Sequence, residues 1–425
     1  MIFSAQARYS AADFILKNGL RVICIEKKSS PIIFFSIWYK CGSKDDAISR
    51  SGVAHYLEHM AFASNKMEFN NFLEDVGAFR NAFTSINVIC FHEVVPKENI
   101  ETVFEHEAMR MTSLDIDDNA FLSEKNAILE ERSMRIDNDP NGEAQESFLA
   151  NIFNREIGGI EIIGWRHEIE SIQKDDLYQF HDKWFAPNNA VIVISGDFDL
   201  QKIKKLAEKY FGEIPQKEIC NISEKKESTI YQKEVKCGSP KNGSLSLVEY
   251  LYAVPFLSKQ NLRKAIALEV AFMAINRPTF FVKKILKDVM NRASKISFGY
   301  TDRIFQYDIA SVEFSASSID DLYEIENIWR HLKKKVVEVG ISKSELDAVK
   351  RQYLLSLAYK KDDIVSMSNY FGWLLVCGYS MDEIQSIDDI IQSISEKECN
   401  DLLSQVFSQD PCAILRVVPK GYDRE

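Results

Sequence analysis

The chain has 425 residues, with 52 lysines and arginines against 63 aspartates and glutamates and a formal net charge of -11. That length exceeds one ordinary hydrophobic core and predicts two domains, while 46% hydrophobic and 27% charged residues exclude large-scale disorder. The acidic balance argues against a nucleic-acid partner, and no apolar run of about 18 residues predicts a membrane span.

The N-terminal stretch "MIFSAQARYSAADFILKNG" has neither a signal-peptide core nor an arginine-rich presequence, so the expected location is cytoplasmic. "FILKNGLRVICIEK" then reads as a hairpin turning at Asn18-Gly19. "PIIFFSIWYKCGS" follows as a strand, and "VAHYLEHMAF" has helical spacing. "NKMEFNNFLEDVGAF" predicts a second helix stopped by Gly77, and "RNAFTSINVICFHEVVP" predicts one strand running to Pro96. Residues 98–137 read as helical with a break at "SLDIDD". "DDLYQFHDKWF" predicts a helix, "NNAVIVISGDFD" a buried strand, and "LQKIKKLAEKYFGEIP" an amphipathic helix ending at Gly212.

The charged, core-poor residues 216–242 read as a linker between an N-terminal domain, 1–215, and a C-terminal domain, 243–425. In the second part "LSLVEYLYAVP", "QYDIASVEFSAS" and "CAILRVVP" predict strands. "NLRKAIALEVAFMAI", "FFVKKILKDVM", "DLYEIENIWRHLKKKVVEVG" and "SKSELDAVKRQYLLSLAY" predict helices, and "NYFGWLLVCGY" reads as core. The two halves share length and element order, which predicts a duplicated α+β unit. Eight cysteines are scattered without a Cys-x-x-Cys pair, so they read as buried thiols rather than a disulfide framework or a zinc ribbon.

The chemistry is concentrated in "GVAHYLEHM", which holds His55, Glu58 and His59. On a helix, residues four apart lie one turn apart on one face, so both imidazoles can reach one metal ion. Glu58 lies on nearly the same face and can reach a water bound to that ion. The pattern H-x-x-E-H is the reversed zincin arrangement, with zinc, two histidines, a third protein ligand and an open position. The competing reading is a helix with two surface histidines and an incidental acid. With seven histidines in the chain, chance supplies only about 0.02 such patterns, which favours the metal. The third ligand is sought in "LSEKNAILEERSMRIDNDP", where Glu124 and Glu131 share a helix face and Glu130 points about 100° away. Spacing alone does not choose among the three.

These residues resemble the M16 metallopeptidases, the family of mitochondrial processing peptidase, its bacterial relatives (the M16B type) and, more distantly, insulysin and pitrilysin. "NGLRVICIEKKSSPIIFFSIWYKCGSKDD" resembles the family's opening hairpin, and "SGVAHYLEHMAFASN" its zinc helix. "NAFTSINVICFHEVV" resembles the following strand, and "AILEERSMRIDNDP" the helix bearing the third ligand. "IIGWRHEIESIQKDDLYQFHDKWFAPNNAVIVISGDFD" resembles the close of the first domain. The likeness covers nearly all of residues 15 to 200. It implies His55, His59 and Glu131 as ligands of one Zn2+, Glu58 as general base, and Glu124 as a supporting acid that orients a ligand. It also implies that Asn81, Ala82 and Thr84 lie on the edge strand that binds an extended peptide.

The resemblance further implies two related α+β domains, each a mostly antiparallel sheet packed with helices, and a clamshell dimer around a chamber. The activity implied is zinc-dependent endopeptidase cleavage of unfolded or presequence-like peptides. The C-terminal half departs from the family. There the catalytic chains carry an arginine and a tyrosine seven residues apart, which steady the substrate backbone and oxyanion. Here Arg292 and Tyr300 are eight apart, in "LKDVMNRASKISFGYTDRIF". The chain therefore reads as a self-sufficient peptidase in a homodimer, or as the zinc-carrying half of a heterodimer with a second M16 chain. A third reading is a non-catalytic scaffold subunit on the same fold.

Overall fold

The opening hairpin forms as its sequence predicts. A computed structural model describes residues 10–28, 31–63, 67–139, 142–152, 162–219, 233–239, 246–254, 261–289, 293–301 and 308–419. In it, β1 (Ala11–Ile15) pairs antiparallel with β2 (Arg21–Glu26). Gly19 takes a φ of 87° in the turn, where a side chain would be strained. Asn18 Nδ2 donates to the carbonyls of Phe211 and Ile214 at 2.7 and 2.9 Å, which anchors the turn to distant chain.

β3 (Ile32–Tyr39) leads to α1 (Val53–Ala63) and α2 (Met67–Asp75). The single strand expected up to Pro96 is instead a hairpin, β4 (Phe79–Thr84) and β5 (Ile89–Pro96). Ser85 makes the difference. Its backbone N–H donates to the Val88 carbonyl at 2.8 Å, and its Oγ accepts from the N–H groups of Asn87 and Val88 at 3.2 and 3.1 Å. A serine that satisfies two backbone donors replaces the ladder with a turn. After β5 come α3 (Ile100–Thr112), α4 (Asp118–Arg132), α5 (Gly142–Ile152), α6 (Arg166–Ser171) and α7 (Lys174–Trp184). β6 (Ala190–Gly196) and α8 (Leu200–Phe211) complete this part.

Within the stretch expected to be linker, Lys233–Ser239 forms a strand, β7; residues 220–232 lie outside the described residues. β8 (Ser246–Val254), α9 (Leu262–Ile275) and α10 (Phe281–Val289) follow. β9 (Ala293–Thr301) has no counterpart among the elements expected from sequence, and β10 (Asp308–Ala316) pairs with it. Then come α11 (Ile319–Val339), α12 (Lys343–Asp362), α13 (Ile364–Val376), α14 (Met381–Ser393), α15 (Glu396–Phe407) and β11 (Ala413–Pro419).

The first sheet has the order β1-β2-β6-β3-β5-β4 and the second β7-β11-β8-β10-β9. Five strands of the first match the second in order and direction. β2 and β6 pair parallel, as do β7 and β11, and the other neighbours are antiparallel. Two helices separate the second and third strands of each set in chain order, α1 and α2 between β3 and β4, α9 and α10 between β8 and β9. The expected duplication of an α+β unit is therefore visible in the topology.

Packing divides the chain into two compact units, one of residues 1–131, 160–225 and 358–385, the other of residues 132–159, 226–357 and 386–425. In the first, the wholly buried β6, "AVIVISG", is a continuous apolar run, as a strand covered on both faces requires. Phe35 of β3 meets Phe104 of α3, and Trp38, on the opposite face of β3, lies against Gly372 of α13. In the second, Ala144 and Phe148 of α5 pack with Leu247, Leu251, Leu415 and Val417 of β8 and β11.

Candidate active site

The helix α1 is fixed at both ends before any chemistry is considered. Asp46 accepts from the backbone N–H of Gly52 and of Ala54, each at 2.8 Å, and Glu168 accepts from Ser51 N–H at 2.8 Å. These acids satisfy donors that open the helix and lie where its dipole favours negative charge. Burial pushes the Asp46 carboxyl well above its usual range, against the two backbone hydrogen bonds that favour its charge. Gly52 has a φ of 91°, and a Cβ there would lie 2.4 Å from the Ile163 carbonyl oxygen, so the entry requires glycine. At the far end, Arg80 Nη1 donates to the Phe62 carbonyl at 3.2 Å. Tyr56 stacks on Phe121 of α4 at 5.0 Å between ring centroids, which sets α1 against α4.

That packing brings the acidic face of α4 to the histidines. The His55 and His59 rings lie 4.6 Å apart between centroids. Glu131 Oε2 is 3.6 Å from His55 Nε2 and 3.6 Å from His59 Nε2. Glu124 Oε2 is 3.0 Å from His59 Nδ1, the other ring nitrogen. Glu130 is exposed and takes no part. Glu58 is buried beside the pair, and its donor atoms fall with those of His55 and His59 within 4.8 Å of one another. Burial raises the Glu58 carboxyl to about 7, with His59 and a hydrogen bond from Thr84 acting in the opposite direction. Three carboxylates thus neighbour the histidines, and the one equidistant from both Nε2 atoms is Glu131.

The remaining expected residues divide by element. Asn81, Ala82 and Thr84 lie on β4, which pairs with β5 on one side and with no described strand on the other. Asn81 is exposed, and Thr84 Oγ1 lies 3.4 Å from Glu58 Oε2. Tyr300 sits in the second unit on β9, where its hydroxyl donates to Asp308 Oδ2 at 2.9 Å. It lines a cavity of about 580 Å³ together with Glu269, Phe272, Phe298 and Gln352. Arg292 lies outside the described residues. Sequence reasoning missed Asp46, Glu168 and Arg80, because partners seven residues ahead of the helix, or 17 and 105 beyond it, leave no local signature.

The second unit repeats this scaffold without the histidines. Lys125 of α4 donates to the carbonyls of Glu170 and Ile172 at 3.1 and 2.8 Å, and Lys350 of α12 donates likewise to those of Gln392 and Ile394. In that register Val349 and Ser356 take the places of Glu124 and Glu131, and α9 contains no histidine.

Two family models match the chain. Residues 21–163 match the family model described as insulinase, peptidase family M16, and residues 171–353 match the model described as the peptidase M16 inactive domain. The chain belongs to the M16 peptidase family. It is 31% identical over 226 residues to the zinc protease PqqE of Helicobacter pylori, a match covering 52% of this chain and 50% of that one. It is 27% identical over 204 residues to the beta subunit of mitochondrial-processing peptidase from Lentinula edodes, covering 47% and 44%. The chain thus matches these relatives over about half their length. A crystal structure of a protease from Helicobacter pylori superposes with a TM-score of 0.83 at 21% identity, covering 97% of this chain and all of that one. An M16 inactive domain from Pseudomonas fluorescens gives a TM-score of 0.81 at 14% identity, covering 98% and 100%. Among the described residues no helix is long and apolar enough to cross a membrane.

Proposed function

We propose that this chain is a zinc-dependent endopeptidase in which His55, His59 and Glu131 hold one zinc ion and Glu58 is the general base. The observation that carries the reading is the convergence of both Nε2 atoms on Glu131 Oε2 at 3.6 Å each. Three donors around a tetrahedral zinc stand about 3.4 Å apart, so the set fits the ion with little movement. Glu124 engages His59 Nδ1, which leaves Nε2 for the metal. Relatives named zinc proteases support the same choice of metal.

Bound there, zinc supplies an acidified water and a Lewis acid for the scissile carbonyl. Glu58 receives the proton of the attacking water and delivers it to the departing amide nitrogen. The edge of β4 at Asn81 and Ala82, which pairs with no described strand, accepts an extended peptide through backbone hydrogen bonds, which reads little sequence and suits unfolded or presequence-like substrates.

A second reading is favoured by one observation. Tyr300 is engaged with Asp308 and stands eight residues from Arg292, so the described residues do not form the expected clamp on the substrate. A partner, a second copy or a different M16 chain, would then complete the site. Zinc titration of the metal-free chain, followed by peptide-library cleavage with the chain alone, tests both readings. Tight binding of one zinc with cleavage supports the self-sufficient enzyme. One zinc without cleavage supports the divided one. No zinc binding contradicts both.

A further inference from the structure

We propose that Thr84 is a positioning residue for the general base: its hydroxyl holds one carboxylate oxygen of Glu58 and fixes the direction in which that base meets the attacking water. The inference rests on the peptidase reading above and gives Thr84 a role different from the peptide contact expected of it.

Alternate side chains of a strand face opposite ways, so Arg80, Ala82 and Thr84 of β4 share one face. That face looks onto α1. Arg80 Nη1 donates to the Phe62 carbonyl at 3.2 Å, with its guanidinium carbon 4.1 Å from the centre of the Phe62 ring. Thr84 Oγ1 donates to Glu58 Oε2 at 3.4 Å. Two residues four apart on the edge strand thus hold two residues four apart on the histidine helix. Among the described residues Thr84 is the one hydrogen-bond partner of the Glu58 side chain. An ionised carboxylate only accepts, so a hydroxyl on Oε2 fixes the carboxylate plane and leaves Oε1 open towards the attacking water. With its hydroxyl proton committed to Glu58, the Thr84 side chain has no proton left to donate to a peptide. The strand that receives the substrate along its edge therefore also sets the base that activates the attacking water. A 1 Å error in such alignment costs about two orders of magnitude in rate at worst.

The test compares Thr84→Val, which keeps the shape and removes the hydroxyl, with Thr84→Ser, which keeps the hydroxyl. Thr84→Val is expected to lower kcat about tenfold, with KM within about twofold of wild type and zinc affinity and Tm unchanged. Thr84→Ser is expected to recover most of the loss. A wild-type kcat in Thr84→Val, or a change confined to KM, overturns the proposal. If the wild type itself cleaves nothing, the peptidase reading of the isolated chain fails separately, and crystal structures decide the present point. Glu58 within hydrogen-bond distance of Thr84 in wild type and reoriented in Thr84→Val supports it. The same Glu58 rotamer in both contradicts it.

Discussion

His59 meets two acids through its two ring nitrogens: Nδ1 is 3.0 Å from Glu124 Oε2, and Nε2 is 3.6 Å from Glu131 Oε2. The acids stand seven residues apart on α4, two helical turns, and bracket one ring. The nearer contact fixes the tautomer and the ring plane, and the farther one leaves room for an ion.

That geometry separates the two acids by experiment. Glu124→Gln is expected to weaken zinc binding about 10–100-fold while leaving one zinc per chain at saturation. Glu131→Gln removes a donor from the set and is expected to weaken it further. Competition against a chelator of known affinity measures both. Unchanged affinity in Glu124→Gln would show that the His59 contact does not support the metal.

Glu58 makes the metal-free protein sensitive to pH. Burial raises its carboxyl from the ordinary 4.5 to about 7. Between those values the folded state binds more protons than the unfolded state, so stability falls as pH rises through that window and levels off above it. The loss is about 3 kcal/mol at full extent. In the presence of a chelator, Glu58→Gln is expected to be more stable than wild type at pH 8 and equal to it near pH 4. Urea unfolding at the two pH values measures the difference. Parallel pH dependences in the two proteins would remove Glu58 as the cause.

The sequence disclosed the histidine helix because its chemistry is local: two ligands and a base within five residues on one face. The third acid needed the packing of Tyr56 on Phe121, which no spacing encodes. The same holds for Thr84 and Glu58, 26 residues apart and joined only when β4 lies along α1. Of the strands, the buried β6 was plain from its apolar run, whereas β4 and β5 merged into one because both alternate. β9 is an edge strand in which Ser297 separates the buried Ile296 and Phe298, a two-residue rhythm that marks a strand. β7 hid in a charged stretch because an edge strand tolerates charge.

A buried ion pair follows directly after the third acid. Arg132 Nη1 and Nη2 donate to Glu146 Oε1 and Oε2, each at 2.7 Å, and both side chains are buried. Removing Glu146 leaves the buried Arg132 charge with reduced compensation, from Asp137 Oδ1 at 3.2 Å to its Nε. Glu146→Ala is expected to lower stability by about 3–5 kcal/mol, measured by urea unfolding. A loss under about 1 kcal/mol would mean that solvent reaches Arg132.

Gly372 carries a packing prediction of opposite sign to helix propensity. In α13 an alanine is ordinarily worth about 1 kcal/mol over glycine. Here its Cβ would lie 2.5 Å from the Trp38 ring, and both Trp38 and its strand are buried. Overpacking wins, and Gly372→Ala is expected to destabilise by about 1–3 kcal/mol. A rise in Tm would show that Trp38 can move aside.

The most direct test of the account is cleavage of a mixed peptide library by the zinc-loaded chain, wild type beside Glu58→Gln. The account predicts cleavage by wild type and its loss in Glu58→Gln, with zinc retained in both, because Glu58 moves the proton and the other residues hold the ion. Cleavage by Glu58→Gln at the wild-type rate would contradict it, since the base would then lie elsewhere.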